Sequence, residues 1–292
     1  MIIIAENLNV MSRKIGEAVK ERNPVPIREM AEAVAATGVD MIDVNLGPAR
    51  KNGAGLMEWV VRTVQEVTDL PLSLDTSSTE AIEAGLAVSK QKALINSISV
   101  RPERMQALMP LVKRYGAAFI GLLLGPEGLP RDANERGLLA ATIMAEAAEQ
   151  GIPDDDLWID PVFLPVNTQQ LQVSSSTEFV TMLKDLAPDC KSTGGLSNVS
   201  NGVPARLRGL VNRTYLMMVK RYGFHSVIAD AFDTELRAIA RDERPELETL
   251  IQRAMDGQVD EAARLEPEEV DYVKTVRILM AQTLYSDSWL EL

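Results

Sequence analysis

Short apolar runs recur eight times along the chain, at residues 2–5, 41–44, 72–74, 93–95, 118–124, 157–159, 192–196 and 226–229. Between them lie stretches in which apolar positions return every three or four residues, among them 26–36, 55–67, 78–88, 102–115, 137–150 and 209–222. A short apolar run bounded by amphipathic segments predicts a buried parallel strand followed by a crossover helix. Successive runs begin roughly 20 to 40 residues apart, which suits strand–helix units. Gly38, Gly116, Gly151 and Gly223 fall just past helical stretches, where a left-handed residue ends a helix. Eight such units predict an α/β fold of the (β/α)8 TIM-barrel type, a single domain over residues 1–292. An open dinucleotide-binding sheet would carry GxGxxG after its first strand, and the chain has ENLNV there.

One span falls outside the repeat. Residues 233–271 hold 13 acidic and five basic side chains and few bulky apolar ones. They predict a helical hairpin with breaks near Pro245 and Pro267, inserted in the last βα unit. It reads as a solvated insertion, with a docking or dimer surface as the alternative. Residues 272–290 are apolar-periodic again and are expected to close the barrel.

Composition narrows the function. The 292 residues are 46% hydrophobic with a net charge of −12. A surface of that sign repels phosphate backbones, and no basic patch offsets it, so nucleic acid is not an expected partner. Cys190 is the only cysteine, so the chain forms no internal disulfide, as suits a cytoplasmic protein. The opening MIIIAENLN is too short an apolar run for a signal peptide or a membrane span.

In a TIM barrel the chemistry sits at the carboxyl ends of the strands. Here those ends supply Glu6, Asn7 and Asn9, then Asp43 and Asn45, Asp75, Asn96, Asp160, Ser197 and Asn198, and Asp230. Asx residues favour turns and helix caps, which accounts for some of them. It does not account for several carboxylates aimed at one mouth, because buried carboxylates are costly without donors. A hard cation such as Mg²⁺ would meet that need. A heterocycle rich in N–H donors meets it better, since asparagine both donates and accepts. No metal is therefore expected. Cys190 and His225 both precede strands, at the wrong end of the barrel for nucleophilic catalysis, and read as structural.

Taken in order, ENLN, DVNLGP, LSLDTSSTEAIEAGL, INSIS, WIDPVFLPVN, GLSNVSN and LVNRTYL resemble the pterin-dependent methyltransferases. The likeness is to the methyltetrahydrofolate:corrinoid/iron–sulfur protein methyltransferases and to the folate-side enzymes of O-demethylase and glycine betaine systems. It covers the chain apart from 233–271. The resemblance implies that Asp75, Asn96 and Asp160 hydrogen-bond the pterin and that Asn198 meets N5 of the folate. It places Ser197, Asn201, Lys191 and Arg208 around the rest of the folate, with Glu6, Asn9, Asp43, Asn45 and Asp230 supporting the barrel mouth. Asn201 stands where relatives carry glutamine, and the loop 201–208 is two residues longer than theirs.

The implied reaction moves a methyl group between N5 of tetrahydrofolate and the cobalt of a corrinoid. A methyl on neutral N5 is a poor electrophile, because its departure would leave an amide-like anion. Asn198 would stabilise the proton on N5 as charge develops in the transition state. The cobalt-ligating DxHxxG signature is absent, so cobalamin is expected on a separate corrinoid protein, of the iron–sulfur type or a small carrier. A homodimer is expected as well. The alternatives are a dihydropteroate synthase-like pterin enzyme, although the loop after the second strand reads LGPARKNGAG rather than STRPG, and a non-catalytic folate-binding barrel.

Overall fold

A computed structural model describes residues 1–48, 52–259 and 265–291. Eight strands appear in the expected order: β1 (Ile2–Asn9), β2 (Met41–Gly47), β3 (Leu72–Thr76), β4 (Leu94–Ser99), β5 (Ala118–Leu122), β6 (Leu157–Asp160), β7 (Lys191–Ser192) and β8 (Ser226–Ala229). They pair in parallel in the sheet order β7-β6-β5-β4-β3-β2-β1-β8. The two edges meet through a parallel bridge between Gly195 and Ile228, and the Ile228 amide donates to Gly194 O at 2.9 Å. The sheet therefore closes into a TIM barrel with its helices outside.

The alternation of strand side chains makes two cores. Ile3, Ala5, Ile42, Val44, Leu72, Leu74, Ile95, Phe119, Leu157, Ile159, Val227 and Ala229 face outward into the main core shared with the helices. Ile4, Met41, Leu94, Ala118, Ile120 and Trp158 form a second cluster, with Ile2 and Ile228 packed against it. This second cluster fills the barrel interior toward the amino ends of the strands.

The predicted strand at 192–196 is shorter than its apolar run. Gly194 and Gly195 carry the seam, and Leu196–Val199 turns into a single helical turn. Ser197 and Asn198 thus ride on a helical turn over the mouth instead of ending a strand. Two helices lie outside the predicted stretches, Arg13–Glu21 and Val166–Leu186. Val166–Leu186 is mostly polar, so the apolar period that marks the other helices is weak in it, whereas Arg13–Glu21 is amphipathic but short and buries only Ile15, Ala18 and Val19.

The acidic span is helical at Thr234–Ala240, Pro245–Met255 and the start of Pro267–Leu279. Pro245 and Pro267 each open a helix, where the missing N–H costs nothing. These helices pack on Ala205–Lys220 through its basic side chains. Lys220 Nζ donates to Glu248 Oε1 at 2.6 Å and to Ile239 O at 2.7 Å, and pairs with Asp242 at 2.8 Å. Arg213 Nε reaches both oxygens of Asp233 at 3.0 Å. Part of the acidity expected to face solvent is therefore neutralised against helix Ala205–Lys220, which precedes β8. Residues 260–264 of the span lie outside the described residues.

The seam generates a test. A Cβ on Gly194 would meet the Phe163 ring at 2.3–2.8 Å, and that ring is fixed edge-on against Tyr215 at 4.8 Å. Gly194→Ala is expected to lower stability by roughly 1–3 kcal/mol, as overpacking does. Urea denaturation followed by circular dichroism checks this, and an unchanged midpoint would show that the seam has room.

Candidate active site

The inward positions that build the apolar plug continue, two residues on, into polar side chains. Ile4 is followed inward by Glu6, Met41 by Asp43 and Asn45, Leu94 by Asn96, and Trp158 by Asp160. On β3 the inward pair is Ser73 and Asp75. The strand register sets these groups side by side, Asp43 level with Ser73, Asn45 with Asp75, and Asp75 with Asn96. A polar layer thus lies directly on an apolar one, and it faces the carboxyl ends of the strands.

Within that layer each carboxylate has one oxygen held by the protein. Ser73 Oγ and Asn96 Nδ2 donate to Asp43 Oδ1 at 2.6 and 3.1 Å. Asn45 Nδ2 donates to Asp75 Oδ2, and the Asn45 carbonyl accepts from Gly47 N at 3.0 Å. Val162 N donates to Asp160 Oδ1 at 2.8 Å. Ser197 Oγ donates to Glu6 Oε1 at 2.5 Å. The second oxygen of each carboxylate has no donor among the described residues. Because Asn96 gives its amide to Asp43, its carbonyl is left facing the mouth as an acceptor.

The electrostatics follow from burial. Desolvation pushes the Asp160 carboxyl up to about 7, against the lowering effect of the Val162 amide. Asp43 and Asp75 are both raised, first by burial. For Asp75 the neighbouring charge of Asp43 adds to this, and Asn45 and Arg104 oppose it. Glu6 is raised by burial, then by Asp230 and Asp43, with Ser197 and Arg208 opposing. Four carboxyl groups that ionise reluctantly, each with a free oxygen, are a site waiting for hydrogen-bond donors.

Arg104, on helix Pro102–Tyr115, ties the edge of this layer together. Its guanidinium donates to Ser77 O at 2.8 Å, Thr76 O at 3.1 Å and Ser97 O at 3.2 Å. It thereby holds the ends of β3 and β4 beside a cavity of about 330 Å³ lined by Asp75, Asn96, Ser99, Arg101 and Leu122 among others. Among the described residues no group of three or more His, Cys, Asp or Glu is arranged to hold a metal ion. Nor is any of their helices long and apolar enough to cross a membrane.

Residues 5–230 match the family described as "Pterin binding enzyme". The chain belongs to the pterin-binding enzymes. It is 28% identical to the methylcorrinoid:tetrahydrofolate methyltransferase of Eubacterium limosum over 79% of this chain and 85% of that one. It is 25% identical to methionine synthase of Mycobacterium tuberculosis over 79% of this chain but 20% of that much longer protein. Among solved structures, dihydropteroate synthase of Yersinia pestis superposes with a TM-score of 0.60 at 18% identity, covering 84% of this chain and 94% of that one. Dihydropteroate synthase of Xanthomonas albilineans in complex with 7,8-dihydropteroate gives 0.57 at 16% identity, over 83% and 93%. At such identities the likeness is one of fold.

In this pterin-binding barrel the structure gathers Glu6, Asp43, Asn45, Asp75, Asn96, Asp160 and Ser197 in one layer. Asn198 is exposed at the rim, and its amide folds back over Gly195, where a Cβ would lie 2.8 Å from Nδ2. Asn201 and Arg208 are exposed beyond it, with Arg208 Nε 3.4 Å from Ser200 Oγ. Asn9 and Asp230 serve turns: Asn9 accepts from Met11 N at 2.8 Å, and Asp230 accepts from Asn7 Nδ2 at 2.7 Å and Phe232 N at 2.9 Å.

Lys191 belongs elsewhere. Its ammonium lies over the Trp158 ring at 5.5 Å and pairs with Asp155 at 2.8 Å, on the turn that precedes β6. It is therefore directed to the amino end of the barrel, away from the mouth. Its place as the first residue of a two-residue strand, level with Trp158, fixes that direction. Cys190 is buried, with its thiol pushed up to about 12, and His225 bonds Ser192; both are structural in placement.

Sequence reasoning missed Ser73, Arg104 and Arg136. Ser73 had a signal, since it lies two residues before Asp75 on one strand face. Arg136 had one too, as it shares the buried face of helix Ala133–Glu149 with Ala133, Ala140, Ile143 and Ala147. Arg104 had none, because the loops that it joins are distant in sequence.

A carboxyl raised by burial weakens the fold when it ionises. Between about pH 4 and 7 folded Asp160 holds a proton that the unfolded chain has lost, so stability falls as pH rises through that window and is level above it. The cost at pH 8 is roughly 2–4 kcal/mol. Asp160→Asn, which keeps the Val162 contact, is expected to raise the urea midpoint of the free protein at pH 8, with the gain gone by pH 4. A gain independent of pH would refute the shifted carboxyl.

Proposed function

We propose that this protein transfers a methyl group between N5 of tetrahydrofolate and the cobalt of a corrinoid carried by a separate protein. The observation that carries the reading is the set of carboxylates with one oxygen held and one free. A pterin presents a guanidine-like edge with an exocyclic amine and a ring N–H. The free oxygens of Asp75 and Asp160 fit those donors, and the free carbonyl of Asn96 fits another. Charge-assisted bonds of this kind contribute about 1.5–3 kcal/mol each. The name of the Eubacterium limosum relative, matched over most of its length, supports methyl transfer between a corrinoid and tetrahydrofolate.

In this reading the carboxylate layer anchors the pterin and leaves N5 toward the rim. Asn198 stands there on its helical turn and accepts from, or donates to, the nitrogen as its charge changes. A proton taken from solvent onto N5, and accepted there by the Asn198 side-chain oxygen, makes the tetrahydrofolate amine a viable leaving group and stays on N5 as the methyl passes to cobalt; in the reverse direction N5 takes the methyl and that proton returns to solvent. This is transition-state stabilisation by an oriented amide, which adds no proton of its own. Ser197, held by Glu6, fixes the turn that carries Asn198. Arg208 and Asn201 lie outward, where the glutamate tail of a folate would emerge.

In this reading the methyl acceptor comes to the rim, because the carboxylates face the carboxyl ends of the strands and the apolar plug fills the other end. The rim supports the approach of another protein. Met11, Leu129, Leu171, Phe232 and Leu284 are exposed on the loops and helix starts around the mouth. They stand singly around the polar centre, where a partner protein can cover them, with Leu171 and Leu284 lining one depression.

The decisive experiment mixes the purified protein with 5-methyltetrahydrofolate and a reduced corrinoid protein, and follows loss of the Co(I) absorbance. Both an iron–sulfur corrinoid protein and a small carrier are assayed. Transfer to either supports the reading; tetrahydrofolate binding without transfer to any corrinoid would overturn it. Asn198→Ala is expected to slow transfer by about 100-fold or more, as loss of one transition-state hydrogen bond does, with tetrahydrofolate affinity within about threefold of the parent. Asp75→Ala is expected to weaken tetrahydrofolate binding about tenfold or more, the loss of one charged hydrogen bond. A variant at Asn198 with unchanged turnover would remove that residue from the mechanism.

A further inference from the structure

Arg136 is an unusual residue for its position. It is fully buried, at 0% exposure, on a helix face otherwise made of alanine and isoleucine. Its guanidinium hydrogen-bonds only neutral acceptors. Nε donates to Pro161 O at 2.9 Å, Nη1 to Ser175 Oγ at 2.9 Å and Asp132 O at 3.3 Å, and Nη2 to Gln172 Oε1 at 2.9 Å. The carboxylates of Asp132 and Glu135, at the start of its own helix, act on it through space but do not hydrogen-bond it. A buried cation without a hydrogen-bonded counter-charge opposes folding, and an apolar side chain of similar volume would serve the core better. The arginine therefore answers to something other than packing.

Its strongest backbone contact points to what that is. Pro161 directly follows Asp160 and has no N–H with which to anchor the turn. The next residue, Val162, sits at φ +65°, a conformation that a β-branched residue rarely adopts. Val162 N holds Asp160 Oδ1 at 2.8 Å, and that contact exists only in this turn. Strain of this sort persists only where the surroundings impose it. Arg136 supplies the constraint, with Ser176 Oγ near Val162 O at 3.5 Å as a weaker second tie.

We infer that Arg136 is a positioning residue for Asp160. By fixing Pro161 O, it keeps the Asp160–Val162 turn in the one arrangement that occupies Oδ1 and leaves Oδ2 free for a ligand N–H. In its effect on binding the inference rests on the pterin reading above; in its effect on Asp160 it does not.

The test is a double-mutant cycle between Arg136→Lys and Asp160→Asn. Lysine keeps the charge but loses the fork that reaches Pro161, Ser175 and Gln172 together. Tetrahydrofolate affinity is expected to fall about 10- to 100-fold for Arg136→Lys in the parent protein, and less than about twofold on the Asp160→Asn background. Equal losses of affinity on both backgrounds would overturn the inference. Where Arg136→Lys does not fold, Ser175→Ala carries the same cycle with a smaller loss of about threefold.

A readout without ligand separates this inference from the pterin reading. Carbon-13 NMR of labelled aspartate follows each carboxyl through its titration. Arg136→Lys is expected to move the Asp160 titration while leaving those of Asp43 and Asp75 in place. An unmoved Asp160 overturns the inference whether or not tetrahydrofolate binds. A moved Asp160 in a protein that binds no tetrahydrofolate sustains it and sinks the pterin reading instead.

Discussion

The structure turns on the cost of placing carboxylates over a hydrocarbon floor. Strand alternation brings Glu6, Asp43 and Asp160 one step above Ile4, Met41 and Trp158, so their charge is held close to atoms that cannot solvate it. Each group is half-compensated, by Ser197, Ser73 with Asn96, and Val162 respectively. Full compensation would have made an inert core network, and none at all would have expelled the charges. In the proposed reading the residual demand for donors suits a ligand with several N–H groups, at the expense of the free protein's stability.

Around that layer, most specialised features serve orientation. Asp43 is too deep to be a first choice for ligand contact, yet it turns the Asn96 amide so that the carbonyl faces the mouth. Asn45 does the same for Asp75. Arg104 and Arg136 work from the outer helices inward, each reaching backbone carbonyls of a loop that follows a strand. A helix that packs behind a sheet thus also sets the geometry of the loops in front of it, which is why a site made of strand-end side chains can be rigid.

The barrel was legible because its signal is repetitive. Eight apolar runs with helical stretches between them leave few other architectures, and seven of the runs coincide with strands. The exception at 192–196 fails for a physical reason. Its glycines permit the close approach of β7 and β8, and Leu196 is buried by a helical turn, so an apolar run and a strand cease to be the same thing. Helix Val166–Leu186 was harder to see because NTQQLQVSSST offers no apolar period. In the site, the carboxylates and Asn96 stood out as costly residues at strand ends. The second layer did not. Ser73 looks like any strand serine, and nothing in PERM links Arg104 to carbonyls on two strands. Lys191 misled because proximity to β7 says nothing about which end of a two-residue strand its long side chain will follow.

The floor has a consequence of its own. Trp158 and its apolar neighbours fill the amino half of the barrel, and Lys191 with Asp155 caps that end by an ion pair over the indole. The interior is a blind well. Traffic to the carboxylates can pass only through the mouth, and any body broad enough to seat on Met11, Leu171 and Leu284 shuts it. If a carrier protein docks there, shape alone asks that the small molecule at the bottom arrive before it and depart after it.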